Sequence, residues 1–464
     1  MKKQPNIILF VTDQQHAETI GREGLCQTPR LNGLIEGGVR FTHAYTPTPM
    51  CTPARGSLVT GLYPHQHKLV RNTHGTDVED YTIRGLETIG SALAAEGYRT
   101  VYAGKWHVGK TPPEENGFQE ILEPKEAGSK GPRTDIITIS DGLGEEVLAA
   151  TAGYKAEDSF VHRLARGVNE WLEQPDAGGQ PFLLMACCHE PHVPWVVPEP
   201  YASMYDPAFL SEWDSYRDCF DNKPLTYTKH YTKVNFCRLQ NDWPRMARAL
   251  AKYYGAVTMV DDAFGTILDT LEARGLMDDT IILFTSDHGE LLGRHGLIGK
   301  NELALDDIIH IPFVFYGRGR FISGTCDSFV SLCDVYNTIM ELAGAQLRTH
   351  MDSRSLVPYL QGEPESANER NSVVIQHDGT NFPNTVRAIR TKQHKYVFRP
   401  HELDEFYDLV IDPSERVNRI HDPAYRGLVV LMREKLLDWA EQNGDSSRGS
   451  MKVFFANPEQ PEFA

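Results

Sequence analysis

Positive charge is in short supply in this chain. It has 46 lysines and arginines against 63 aspartates and glutamates, a formal net charge of −17 at pH 7. A surface that acidic repels polyanions, so nucleic acid is not expected as a partner. Long sulfated or phosphorylated polymers are disfavoured on the same ground, while a small anion entering a locally positive pocket is compatible with it. Cysteine pairs are missing too. Eight cysteines, at 26, 51, 187, 188, 219, 237, 326 and 333, fall without a CxxC motif or regular spacing. That argues against a disulfide framework or a zinc site and fits a reducing compartment. Long apolar runs are also absent from the start of the chain. The opening "MKKQPNIILFVTDQQ" has two lysines and one apolar run broken by Thr12 and Asp13. The run is too short to span a membrane and has no small-residue cleavage site behind it. The expectation is a cytoplasmic protein without a signal peptide or a membrane partner. No internal repeat or low-complexity tract is visible.

What is present is an ordinary globular composition, 41% apolar and 23% charged. With 464 residues the chain exceeds what one core usually supports, so two domains are expected. "NIILFVT" (6–12) reads as a buried parallel strand with Asp13 at its carboxyl end. "ETIGSALAAEGYRTVYAGKWH" predicts a helix through Ala95, a stop at Gly97 and a strand at 99–103. "PFLLMACCHEPH" gives a strand at 182–188 followed by histidines. A helical pattern over 246–275 ends at Gly275, and "TIILFTSDHGE" is again a strand followed by charge. "IPFVFYG" and the helical "LCDVYNTIMELAGA" complete an alternation of strand and helix, the mark of an α/β protein with a mostly parallel sheet. Four strands end in Asp, Lys/His, His and Asp/His, and ligands bind at the carboxyl ends of such strands. One shared site is expected there. After about residue 345, "LRTHMDSRSLVPYLQGEPESANERN" reads as a linker or surface excursion. "SVVIQHDG", "TVRAIRT" and "HKYVFRP", with a helix near 424–442, predict a small antiparallel sheet. The expected division is a catalytic domain over 1–350 and a C-terminal α+β subdomain over 370–464.

The pattern C-x-P-x-R in "CTPARGSLVTG", at Cys51, Pro53 and Arg55, resembles the type I sulfatase signature, in which the cysteine is oxidised to formylglycine. Other parts of that family occur in order: "NIILFVTDQ", "GYRTVYAGKWHVGK", "HEPHVPW", "TSDHGELLGRHGLIGK" and "EFYDLVIDPSERVN". The resemblance spans nearly the whole chain and is nearest to bacterial cytoplasmic sulfatases. It implies an alkaline-phosphatase-like fold, a mostly parallel central sheet flanked by helices with a smaller C-terminal domain. It further implies a sulfuric ester hydrolase and a maturation enzyme that makes the formylglycine.

The implied chemistry has a physical rationale. An aldehyde at position 51 hydrates to a geminal diol; one hydroxyl attacks sulfur, and the other lets the sulfate ester collapse back to aldehyde, whereas a thiol or serine would leave a stable ester. A helix start at Cys51 places backbone N–H groups near an anion, Pro53 sacrifices no needed donor, and Arg55 could orient the diol. Asp13 and Asp287 are hard oxygen donors suited to Ca²⁺ or Mg²⁺. By resemblance Gln14, His288 and residue 51 itself complete the metal site. Many sulfatases have Asp at the Gln14 position and Asn at the His288 position; the versions here are like those of choline sulfatases and phosphonate monoester hydrolases. A nitrogen ligand also admits Mn²⁺. Lys105, His192 and Lys300 match groups that bind sulfate, and His107 the histidine that assists release. The resemblance also implies that His192 and Lys300 protonate the leaving oxygen, with the lysine's pKa expected to be lowered by a metal and other cations nearby. Asn72 matches an anion-contacting amide. His43, His189 and His295 are read as packing residues.

Three functions compete at this level. The first is removal of sulfate from a small organic sulfate or sulfated saccharide. The second is a phosphonate monoester or phosphodiester hydrolase, disfavoured because those enzymes carry Tyr and Thr where this chain has Lys105 and His107. The third is a binding protein that kept the fold, which would have lost one of Asp13, Cys51, Arg55 or Asp287. The segments 72–80, 125–160 and 195–245 are the expected substrate walls, and a homo-oligomer stays open.

Overall fold

The structure, a computed structural model, describes residues 4–73, 81–124, 131–140, 145–229, 242–300, 302–349, 352–363, 369–379 and 384–456. Cys237 and parts of the three expected wall segments lie outside the described residues. An eight-stranded sheet forms the centre. Its spatial order is Gly324–Ser331, Val39–Tyr45, Phe313–Tyr316, Thr280–Ser286, Asn6–Thr12, Phe182–Cys187, Arg99–Gly104 and Glu120–Leu122. Phe313–Tyr316 runs antiparallel to both neighbours, and the other pairings are parallel.

The first strand shows why its residues are apolar without interruption. Ile7, Leu9 and Val11 enter one core, and Ile8 and Phe10 enter the core on the opposite face. Successive side chains of a strand point to opposite faces, so a sheet covered on both sides needs apolar residues at every position. The second face is covered by the helices Phe160–Leu172 and Trp243–Ala273. The long helix starts at Trp243, three residues before the expected 246, because the Asp242 side chain accepts the Arg245 N–H at 3.1 Å and Pro244 fits the first turn. The chain turns at Gly275, whose φ of 64° suits glycine.

Register then fixes the site. Thr12 pairs with Ser286 and Val11 with Cys187, while Gly104 pairs with Cys187 on the other side. Asp13, Asp287, the 188–192 segment and Lys105 therefore leave the sheet along one edge. The Cys51–Thr60 helix enters the same edge with all ten residues buried.

A four-stranded antiparallel sheet (Val373–Asp378, Thr385–Arg390, His394–Phe398, Glu405–Asp408) forms the C-terminal unit. One face packs under the helices Arg426–Gln442 and Arg448–Ala456 through Ile389, Phe398, Phe406 and Leu436. The other carries Ile375, Ala388 and Val397 against Tyr45, Ile309 and Phe329 of the large domain. Two features depart from expectation. The stretch read as a linker or surface excursion contributes a short helix, Val357–Leu360, and buries Leu356, Leu360 and Arg370. Arg370 Nη2 reaches Asp334 Oδ1 at 3.0 Å. Polar turn residues around those few apolar positions hid the packing. A three-stranded sheet, Thr134–Ser140, Glu145–Thr151 and Trp195–Val197, was also not legible as strands.

Candidate active site

Cys51 opens its helix directly beneath the ends of the central strands and is 1% exposed. Its Sγ has Lys300 Nζ at 3.0 Å, His288 Nε2 at 3.2 Å and Asp13 Oδ1 at 3.8 Å. Pro53 lies in the first helical turn, where a backbone N–H has no intrahelical partner, so its missing donor costs nothing. The Thr52 N–H is already taken, by Asn72 Oδ1 at 3.1 Å. Asn72 thus caps this helix start at the side of the cluster.

Asp13 and Asp287 are fully buried, and such charges persist only when paired. Arg55 supplies most of the pairing. Its Nε donates to Asp287 Oδ2 at 2.7 Å, Nη2 to Asp13 Oδ2 at 3.2 Å and Nη1 to the Lys105 carbonyl at 2.9 Å. The guanidinium expected to orient residue 51 is therefore spent on the two carboxylates. Lys105 Nζ adds a contact to Asp13 Oδ2 at 2.5 Å. Lys300 Nζ also touches Gln14 Oε1 at 3.0 Å and His192 Nε2 at 2.8 Å.

The donor set fits a divalent cation. Ligand atoms of Asp13, Cys51, Asp287 and His288 all lie within 4.8 Å of one another, the span of atoms placed about 2.4 Å from a common centre. His288 Nδ1 stands 2.9 Å from the Gly289 carbonyl. Donation to that oxygen leaves a lone pair on Nε2, which faces the cluster, as a ligating histidine requires. Gln14 has a φ of 66°, costly outside glycine. It is held there by its N–H to Asp287 Oδ1 at 3.2 Å and by the Tyr253 hydroxyl on its carbonyl at 3.0 Å.

The electrostatics follow from this crowding. Burial works to raise the Asp13 carboxyl, as does the Cys51 thiolate, but Lys105, His192 and Arg55 outweigh both and hold it far below the usual carboxylate range. Burial alone would push the Cys51 thiol up; Lys300 and His288, with hydrogen bonds from His107 and His192, bring it well below its ordinary value. The lowering expected of Lys300 beside a metal and other cations is not seen next to a Cys51 thiolate. Burial works to lower the lysine, yet the negative charges on Cys51 and Asp13 leave it above the normal lysine value.

Asp13, Gln14, Cys51, Arg55, Lys105, His107, His192, Asp287, His288 and Lys300 therefore form one connected cluster, with Asn72 at its rim. His189 packs beside it, its ring tilted against that of His192 with centroids 5.0 Å apart. Burial, then the charges of Lys105 and His192, brings His189 down to about 4. His295 is tied to Asp218 at 2.8 Å, and His43 packs on Phe329 away from the cluster. A cavity of about 230 Å³ adjoins His192, lined by residues including Arg133, Tyr154, Phe160, Arg163 and Trp195. Sequence reasoning missed Tyr253 and Glu290. Glu290 stands in the quoted "DHGE" motif, and a charged residue right after a buried strand was the available signal.

The sequence profile described as Sulfatase matches residues 5–345, and the profile described as N-sulphoglucosamine sulphohydrolase, C-terminal, matches residues 293–442. The uncharacterized sulfatase YidJ of Escherichia coli is 27% identical, covering 96% of this chain and 89% of its own. The phosphonate monoester hydrolase SpPMH from Silicibacter pomeroyi superposes with a TM-score of 0.80 at 23% identity, over 96% of each chain. A protein solved in complex with its substrate D-glucosamine-2-N,6-O-disulfate superposes with a TM-score of 0.77 at 20% identity, over 96% of this chain and 99% of the other.

Proposed function

The chain belongs to the sulfatase family, the sulfuric ester hydrolases of alkaline-phosphatase-like fold, and from that premise we propose its particular reaction. It removes sulfate from a small organic sulfate or a sulfated sugar, using formylglycine made from Cys51 and a divalent cation, Ca²⁺ before Mn²⁺ or Mg²⁺. The observation that carries this reading is the convergence of Lys300 Nζ and His288 Nε2 on Cys51 Sγ, 3.0 and 3.2 Å away, above the Asp13–Arg55–Asp287 ion cluster.

The matured residue would supply a hydrated aldehyde as nucleophile, and Asp13, Gln14, residue 51, Asp287 and His288 would hold the cation, which would supply positive charge for the sulfate. The protein's own side chains do the rest. Lys105, His192 and Lys300 bind the anion together, with Asn72 at the helix start. His192 Nε2 and Lys300 Nζ, 2.8 Å apart, share a proton and serve as its donor to the leaving oxygen. The raised Lys300 pKa belongs to a neighbourhood with a thiolate. A neutral residue 51 removes that negative charge and eases proton release from the lysine. His107, which reaches residue 51, takes the proton whose loss frees the sulfate.

The cavity beside His192 suits the organic portion, being smaller than a drug-sized pocket and lined by aromatic and basic side chains with Asp158 and Glu190 among them. Maturation by a formylglycine-generating enzyme precedes folding in this reading, because Cys51 and Arg55 are 1% and 0% exposed afterwards. Seven described cysteines are free, which supports a reducing, cytoplasmic setting. Among the described residues no helix is long and apolar enough to cross a membrane. We take 1–350 as the catalytic domain and 370–464 as the C-terminal subdomain.

The likeness to SpPMH keeps a second reading in view, a phosphonate monoester or phosphodiester hydrolase. Lys105 bound to Asp13, and His107 beside Cys51, favour the sulfate. Intact-mass spectrometry of active protein is expected to show an aldehyde at position 51, and Cys51→Ala to abolish turnover. Full activity in that variant sinks the mechanism. In paired assays aryl sulfate is expected to be the better substrate; a large preference for aryl phosphonate reverses the assignment.

A further inference from the structure

We propose that Glu290 is a positioning residue that fixes Gln14 as an oxygen donor to the cation and closes the turn presenting Lys300. The proposal rests on the cation-assisted reading above. Glu290 is fully buried but is not one of the four residues whose atoms converge as ligands. Its Oε1 accepts the N–H of Leu292 at 3.2 Å and of Gly299 at 2.5 Å, and its Oε2 accepts Gln14 Nε2. One carboxylate thus joins the Asn6–Thr12 strand end to both ends of the 290–300 turn. That turn is also closed by Leu291 N–H on the Gly299 carbonyl and Gly293 N–H on the Leu297 carbonyl, at 3.1 and 2.9 Å. Lys300 follows directly.

An amide has two chemically opposite ends of nearly equal size, so its orientation is set by its neighbours. Both Glu290 oxygens act as acceptors, Oε1 for two backbone N–H groups and Oε2 for the NH₂ end of Gln14. The opposite end of the Gln14 amide, Oε1, is left facing Lys300 Nζ at 3.0 Å and the ligand cluster. Reversal would aim two N–H donors at an ammonium and a cation. Glu290 thus selects the ligating atom without touching the metal, as outer partners of metal ligands do.

The test compares wild type, Glu290→Gln, and the double variant Glu290→Gln with Gln14→Glu. Each is purified with chelator and titrated by calorimetry with Ca²⁺, or with Mn²⁺ if wild type binds that ion instead. In Glu290→Gln an amide meets an amide, and affinity is expected to fall about 10- to 100-fold, with kcat/KM for an aryl sulfate falling alongside. The double variant exchanges donor and acceptor and is expected to bind the ion at least tenfold more tightly than Glu290→Gln. The proposal is overturned if Glu290→Gln binds as wild type does, or if the double variant binds no more tightly than Glu290→Gln. If Glu290→Gln does not fold, recovery of folding and binding in the double variant supports the pairing, and failure of both overturns it. Wild type that binds neither ion overturns it as well. Wild type that binds the ion but hydrolyses no sulfate ester rejects the hydrolase reading alone, and the comparison of variants stands.

Discussion

Asp13 and Asp287 lie side by side at the ends of adjacent strands, and Arg55 is the cation set between them, with side-chain exposures of 0%, 0% and 1%. Removing one member of a buried ionic group leaves the others uncompensated, which costs about 3–5 kcal/mol. Arg55→Ala is therefore expected to lower the unfolding free energy by about that amount in urea melts. Added Ca²⁺ is expected to recover part of the loss, since a cation between the same carboxylates replaces the missing charge. A variant with unchanged stability, or one insensitive to the ion, contradicts this account of Arg55. At this scale the sequence was largely legible: Asp13, Cys51, Asp287 and His288 could be named from strand ends and one motif. The partners of Arg55 could not, because a five-donor side chain near several acceptors makes its choice in three dimensions.

Among the elements, the 293–300 turn depends on a neighbour remote in sequence. His295, at a φ of 57°, donates its N–H to Ser215 Oγ at 3.4 Å, and its Nδ1 meets Asp218 Oδ2 at 2.8 Å. Lys223 Nζ lies 3.3 Å from the same carboxylate. Burial works to raise Asp218, but the His295 hydrogen bond and the Lys223 charge prevail and bring it down to about 2. A depressed carboxyl contributes stability that is fully present above its unfolded pKa near 3.8 and is lost as pH falls through about 2. Asp218→Asn is thus expected to cost about 2 kcal/mol at pH 7, and the gap to wild type is expected to close between pH 4 and pH 2 in denaturant titrations. A gap that stays constant over that range removes the charge argument. Nothing in "SEWDSYRD" announces this clamp. Strand and helix periods speak of one face of one element, not of which loop meets which.

For the whole molecule, the C-terminal unit reaches the segment that holds the 293–300 turn, through Asn222 and Lys223. Asn418 Nδ2 donates to the carbonyls of Asn222 and Asp404 at 2.9 and 3.0 Å, and its Oδ1 accepts the N–H of Phe406 and Ile420 at 2.9 and 3.1 Å. Glu415 accepts the Lys223 ammonium on its carbonyl at 2.6 Å. Asn418→Ala strips four hydrogen bonds from a 5% exposed site and is expected to cost about 2–4 kcal/mol in global unfolding. Because Asn222 and Lys223 adjoin Asp218, KM is expected to rise while Ca²⁺ affinity holds; a reversed pattern would place Asn418 in support of the metal cluster instead. "EFYDLVIDPSERVN" fits the family pattern, but nothing in it announces a reach to the segment that clamps the Lys300 turn. By itself the sequence determined the class of fold, the parallel core strands and the family, because buried strands and a motif of fixed spacing are local patterns. Tertiary structure alone decided that Arg55 pairs with both carboxylates, that a thiolate at 51 raises Lys300, and that Glu290 and Asn418 bond to segments remote from them in sequence. Those outcomes are sums of charges and hydrogen bonds over residues up to about three hundred positions apart, and such sums exist only once the chain has closed.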